Sequence, residues 1–122
     1  MSKPVILVVD DDLPILTLMR NVLREFGFEA RVASSSHAAI SAARDETPDL
    51  ILLDKNMPGA SIRETISSLR NVGGRSVPIV ILSGEPIDPD ELASLGAAAS
   101  VMKPFDIREL VERIRGFVGV AR

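Results

Sequence analysis

Five aliphatic residues in a row, Val5 to Val9, run without a break into three aspartates, Asp10, Asp11 and Asp12. The figure returns where Ile51-Leu52-Leu53 meets Asp54 and where Ile79-Val80-Ile81-Leu82 meets Ser83. A short run that is apolar at every position, with no polar alternation, is a strand buried on both faces. Such strands belong to parallel sheets covered by helices, because a sheet with one wet face would alternate. Each run also delivers a polar residue to the edge of the sheet, where a ligand can reach it.

Between these runs the pattern becomes helical. Ile15, Leu18, Met19, Val22, Leu23 and Phe26 form one stripe, with Pro14 in the first turn, Asp12 as cap and Gly27 as stop. Phe28 to Ala33 is a second, shorter strand, and Ser34 to Ser36 offer capping hydroxyls to a helix with an Ala-rich inner face reaching about Arg44. Pro48 leads into the third strand at 49–53. A helix then opens near Ser61, lined by Ile62, Ile66 and Leu69 and ended by Asn71 and Gly73-Gly74. Val77 to Leu82 is a fourth strand. Pro86 and Pro89 confine the next helix to a short piece from about Asp90 to Leu95, stopped by Gly96. Ala98 to Met102 is a fifth strand of small residues ending at Lys103-Pro104, and Asp106 caps a last helix with the stripe Ile107, Leu110, Val111, Ile114 and Phe117.

Five strand–helix alternations without a hairpin signal predict an α/β fold, an open parallel five-stranded sheet with helices on both faces, hence a three-layer (βα)5 sandwich. Alternation alone does not select the strand order. The flavodoxin-like order 2-1-3-4-5 would place the first and third strands side by side at the topological switch point, where ligands bind beyond the strand ends. At 122 residues the chain is expected to be a single domain, 1–122, large enough to need no staples.

Composition narrows the chemistry. There is no Cys, which excludes disulfides, thiolate zinc sites and a thiol nucleophile, and the single His37 excludes a His-rich metal site. The five apolar residues before Asp10 are too few for a secretory signal, and no run approaches a membrane span of roughly 20 residues. A soluble cytoplasmic protein without membrane contact is expected. A net charge of −3, no Trp or Tyr and only four Phe argue against nucleic-acid binding.

In the predicted sheet Asp10 and Asp11 follow the first strand, Asp54 the third, Ser83 the fourth and Lys103 the fifth. All five converge on one edge. Three neighbouring carboxylates repel and need a cation to stay ionised. Oxygen ligands without His or Cys select a hard ion such as Mg²⁺. The arrangement expected has Asp11 and Asp54 as direct ligands, Asp10 holding a metal-bound water and Asn56 contributing its backbone carbonyl. A metal beside a lysine and a hydroxyl suits an anion with several oxygens, and phosphoryl transfer depends mostly on positioning and charge neutralisation. Asp54 is the best nucleophile, because carboxylates form aspartyl phosphates. Lys103 and Ser83 would each bind a phosphoryl oxygen, with Gly84 keeping the approach open.

Taken singly, each residue has an ordinary role. One aspartate of the triplet suffices as a helix cap, Lys103 suits a turn, and Ser83 suits a local turn bond. His37 fits a solvated helix start, Met57 fits packing, and Arg108, Glu109, Glu112, Arg113 and Arg115 fit the wet face of the last helix. What points to a site is the joint placement.

Together these residues resemble a response-regulator receiver domain of two-component signalling, over essentially the whole chain. The match is carried by Asp10-Asp11 after Ile6-Leu7-Val8-Val9, Asp54 with Met57-Pro58, Ser83-Gly84 after Ile79-Val80-Ile81-Leu82, and Lys103-Pro104-Phe105. A receiver is itself a standing example of the 2-1-3-4-5 order. The resemblance implies that Asp54 accepts a phosphoryl group from a histidine kinase or a histidine phosphotransfer protein with Mg²⁺ present. It implies a conformational shift that controls a downstream effector or a homodimer, and no conventional turnover. It also implies a cis Lys103–Pro104 bond that aims the lysine inward, and docking around Leu16, Arg20, Arg24 and the loop after Lys103.

Three departures stand out. Ser100 occupies the place of the family's aromatic switch residue. Ser61-Ile62 stands where the loop commonly has Asp-Gly. The segment from Ser83 to Gly96 is short and holds two prolines, so a stiffer or displaced fourth helix is expected. No output module is expected after the last helix, which suits a stand-alone regulator, a phosphorelay shuttle or a receiver cut from a longer protein. Two rival readings remain. A haloacid-dehalogenase-type phosphatase would use Asp10 of Asp10-x-Asp12 as nucleophile, but would lack its final acidic pair and leave Asp54 idle. A pseudo-receiver would bind partners without being phosphorylated.

Overall fold

The computed structural model describes residues 3–72 and 76–119. Strands and helices alternate throughout: β1 (Val5–Val9), α1 (Leu13–Glu25), β2 (Glu29–Ala33), α2 (Ser36–Asp45), β3 (Leu50–Asp54), α3 (Ile62–Asn71), β4 (Ile79–Ser83), α4 (Pro89–Leu95), β5 (Ala99–Met102) and α5 (Ile107–Val118). All strand pairs are parallel and the order is β2-β1-β3-β4-β5. The chain steps outward from β1 to β2, then crosses back over β1 to β3. The reversal lies between β1 and β3, so the polar residues that end these two strands flank the switch point.

Strand pleating sorts the aliphatic runs into two cores. Ile6, Val8, Leu50, Leu52, Val80 and Leu82 face Leu16, Met19 and Leu23 of α1 and Leu110, Val111 and Ile114 of α5. Leu7, Val9, Ile51, Leu53, Ile79 and Ile81 face Ala39 and Ala43 of α2, Ile66 and Leu69 of α3 and Leu95 of α4. Both faces of β1, β3 and β4 are covered, which is why those runs have no polar alternation. Each such buried side chain contributes roughly 1.5–3 kcal/mol.

The helix ends follow their capping residues. Asp12, Ser35, Ser61, Asp88 and Asp106 each accept a backbone N–H in the first turn of α1 to α5 respectively. At α3 the cap is reciprocal: the Ser61 hydroxyl donates to Glu64 at 3.0 Å and accepts the Glu64 N–H at 3.1 Å. The turn that enters α3 takes its positive φ, +87°, at Gly59, so Ser61 keeps an ordinary φ of −75°. The fourth strand begins at Ile79, later than expected at Val77, because Pro78 has no N–H for the ladder. Asp54 belongs to β3 itself, in register with Leu82. Gly73 and Gly74, expected to stop α3, lie outside the described residues.

Two helix stripes need correcting. Leu18 is 53% exposed and Leu16 takes its place in the core at 4%. With leucines at both positions the helical period fits either phase, and the seat of α1 on β1 and β2 decides between them. Phe117, expected on the inner face of α5, is 41% exposed, because the buried stripe of that helix ends at Ile114.

Candidate functional site

Strand geometry carries the acids to one rim. The Asp10 N–H donates to the Ala33 carbonyl at 3.1 Å, which fixes Asp10 one step beyond β1. Asp54 is the last residue of β3, and both carboxyl groups are buried, whereas Asp11 is exposed. One carboxylate oxygen from each of Asp10, Asp11 and Asp54 lies within 4.8 Å of the others.

Lys103 enters this cluster from the far side of the sheet. Its N–H donates to the Ser83 carbonyl at 2.8 Å, extending β5, and its bond to Pro104 is cis as expected. The ammonium then donates to Asp10 at 3.0 Å and to Asp54 at 3.1 Å. Partial burial pulls the Lys103 pKa down, but hydrogen bonds and attraction from the two carboxylates outweigh it and hold the group above the ordinary 10.5. The second Asp10 oxygen accepts the Asp12 N–H at 2.9 Å, so both oxygens of Asp10 are engaged by the protein. Three carboxylates against one ammonium leave the rim negative, with an oxygen-only donor set that fits a hard divalent cation.

Ser83 reaches the same rim and is buried, but its hydroxyl faces its own loop. It donates to the Glu85 carbonyl at 2.7 Å and accepts the Glu85 N–H at 3.1 Å. This is the local turn bond its sequence context allowed. A Cβ on Gly84 would meet no atom within 4 Å, so the space beside that glycine is open. Asn56 is exposed and, with Asp11 and Lys55, lines an open cleft of about 580 Å³ beside the acids. Met57 packs in the core and His37 is exposed, as expected.

Beyond the rim, the docking side differs from the expectation at one residue. Ser100 is half-buried and lines a groove of about 270 Å³ with Met102, Phe105, Glu109 and Arg113. The docking surface expected around Leu16 cannot use that residue, which is in the core. Ile15, Leu18, Phe105 and Ile107 form the accessible apolar patch beside Lys103 instead.

Sequence reasoning passed over three cations. Lys55 directly follows Asp54 and pairs with Glu91 of α4 at 4.0 Å. Arg63 of α3 donates to the Ser94 carbonyl at 3.2 Å and the Ser94 hydroxyl at 3.1 Å, and Arg70 donates to the Gly96 carbonyl at 2.9 Å and to the Val77 carbonyl. Adjacency to Asp54 was the available signal for Lys55. Nothing local marks the ties of Arg70 to Gly96 and of Arg63 to Ser94, which span 26 and 31 residues.

An open sheet of this order, with three acids and a lysine converging at its switch point, is the architecture of a receiver, and the chain belongs to the response regulator receiver domain family, whose model matches residues 6–115. Its class is a receiver of two-component signalling. The chain is 40% identical over 112 residues to the DNA-binding response regulator MtrA of Mycolicibacterium paratuberculosis, which covers 90% of this chain and 49% of that protein. It is 35% identical over 119 residues to the transcriptional regulatory protein PrrA of Mycobacterium tuberculosis, 96% of this chain and 51% of that one. The chain thus spans about half the length of these curated relatives.

Among solved structures, the chemotaxis response regulator CheY4 of Vibrio cholerae superposes with a TM-score of 0.87 at 25% identity, over 95% of this chain and 99% of that one. The receiver domain of the sensor histidine kinase PA1611 of Pseudomonas aeruginosa gives 0.85 at 25% identity, over 97% and 99%, and carries a magnesium ion in its active site cleft. The DNA-binding name of MtrA qualifies the expectation, drawn from composition, that nucleic acid plays no part. No helix among the described residues is long and apolar enough to cross a membrane.

Proposed function

We propose that residues 1–122 form one cytoplasmic receiver domain in which Asp54 accepts a phosphoryl group from a histidine kinase or histidine phosphotransfer protein. A carboxylate oxygen of Asp54 attacks phosphorus in line. The new P–O bond forms as the P–N bond to the donor imidazole breaks, and the electron pair stays on that nitrogen. Asp11, Asp54 and the Asn56 backbone carbonyl would hold Mg²⁺, with Asp10 holding a bound water. When bound, the ion neutralises charge on the transferring group. Asp10 suits an outer role because Lys103 and the Asp12 N–H already occupy its oxygens. Lys103 binds one phosphoryl oxygen, and Ser83 binds another after its hydroxyl turns away from Glu85.

The observation that carries this reading is the Lys103 ammonium bridging Asp10 and Asp54 at 3.0 and 3.1 Å beside the exposed Asp11. The same bridge disfavours the phosphatase alternative, since both Asp10 oxygens are engaged while Lys103 holds one oxygen of Asp54. Incubation with acetyl phosphate and Mg²⁺, followed by mapping of the modified residue, tests it. Label on Asp54, abolished in Asp54→Asn, is expected. Label on Asp10 would instead establish the phosphatase, and no Mg²⁺-dependent label would establish a pseudo-receiver. The phosphoryl donor docks on Leu18, Ile15 and Phe105 with Arg20 and Arg24 at the margin; reversing both arginine charges without loss of kinase pull-down would remove the arginines from that surface. A longer protein built around this chain can bind DNA as MtrA does, so nucleic acid is kept among the possible outputs, with an effector protein and a homodimer.

A further inference from the structure

The rim carries a second lysine that the phosphoryl chemistry above leaves unused. The Lys55 N–H donates to the Leu82 carbonyl at 2.9 Å, so the sheet holds its backbone and only the side chain is free to swing. That side chain lines the same cleft as Asp11 and Asn56. Its ammonium stands 4.0 Å from Glu91, the longest ion pair among the described residues, and both partners are partly exposed. Such a pair is weak and readily exchanged.

Glu91 lies in the first turn of α4, a helix of seven residues that buries Leu95 and packs Leu92 partly against the core. The other end of α4 is tied more firmly, by Arg63 to Ser94 and by Arg70 to Gly96. The Lys55–Glu91 pair is therefore a polar tie between the phosphoacceptor strand and the N-terminal end of this helix.

Charge balance gives Lys55 a reason to move. Asp10, Asp11 and Asp54 against Lys103 leave an excess that one divalent cation would cancel. A phosphoryl group carries roughly −1.5 to −2 and adds strong acceptor oxygens, so on Asp54 it would make the rim negative again. We propose that Lys55 is a further phosphoryl-positioning residue: it leaves Glu91 for the phosphoryl group on Asp54 and thereby frees the N-terminal end of α4, while Arg63 and Arg70 hold the other end. This rests on Asp54 as phosphoacceptor. It provides a link from the rim to α4 that needs no aromatic side chain at Ser100.

Beryllium fluoride with Mg²⁺, a phosphoryl mimic, tests the link in the whole chain, with ¹⁹F resonance reading binding and amide hydrogen exchange reading residues 90–95. In the wild type, binding is expected to speed exchange in α4 several-fold. Lys55→Met weakens binding about tenfold, the size of one charge-assisted hydrogen bond. Its α4 exchanges fast before binding and changes little after. Lys55→Arg restores both readouts, and Glu91→Gln tightens binding while speeding α4 exchange without the mimic. Wild-type affinity in Lys55→Met, or unchanged α4 exchange in Glu91→Gln, overturns the proposal and leaves Asp54 as acceptor intact. A wild type that takes no mimic removes both readings together.

Discussion

The ends of β1 and β3 and the helix α4 lie within one side chain's reach of each other, through Lys55 and Glu91, yet they are held by opposite means. Val5 to Val9 and Leu50 to Asp54 are buried at every position, and their backbones are paired on both sides in the middle of the sheet. α4 buries one leucine, rests Leu92 partly on the core, and is otherwise tied by exposed polar contacts. Asp10 and Asp54, two of the three rim acids, stand at the ends of these stiff strands. A segment with so little apolar burial has a low cost of local opening, and so is suited to report a change. The acid rim and α4 are thus held differently while adjacent in space.

Breaking the stiff side should have the largest effect on folding. Leu52→Ala, at a fully buried position of β3, is expected to lower stability by about 2–5 kcal/mol, seen as a lower urea midpoint with an unchanged slope. Leu95→Ala in α4 sharpens the contrast: a smaller shift in midpoint, with exchange accelerated in α4 and not in β1 or β3. A global loss equal to that of Leu52→Ala would show that α4 is part of the same cooperative unit.

Next comes the cation. Mg²⁺ at a hundred times its dissociation constant should stabilise the protein by about 2.7 kcal/mol, raising the melting temperature reversibly on chelation. Asp11→Asn should remove that rise with little effect on the metal-free protein, because Asp11 is exposed. A Mg²⁺ effect that survives the substitution would place the ion elsewhere.

Arg63→Ala, which cuts the tie to Ser94 at the surface, should cost less than about 1 kcal/mol globally while raising exchange at residues 93–95. The smallest effect concerns pH. The folded Lys103 pKa is raised, so the stabilisation from its carboxylates is fully present below 10.5 and is lost as pH climbs through the higher folded value. Urea midpoints of the metal-free protein should fall over that alkaline range, and Lys103→Met should flatten the fall.

Much of the rim was legible from residue order. Asp10, Asp11, Asp54 and Lys103 were each placed by the run or breaker beside them, and the sheet brings all four together. Ser83 was placed on the correct strand end, but its hydroxyl direction is a side-chain rotation that no periodicity encodes. Leu16 and Leu18 satisfy the helical repeat almost equally, so the phase of α1 is not encoded locally. The arginine ties of α3 escaped notice because a long flexible cation finds distant carbonyls only after the helices have packed.

Local order in the chain determined where each element begins and ends, since unbroken aliphatic runs, caps and prolines act over a few residues through sterics and hydrogen bonding. The same information settled which polar groups stand at strand ends. Tertiary structure alone decided which strand ends are neighbours, which leucine of α1 is buried, and which of the two rim lysines bridges the acids. Those outcomes depend on strand order and on contacts between segments far apart in sequence, whose energies exist only once the sheet has formed.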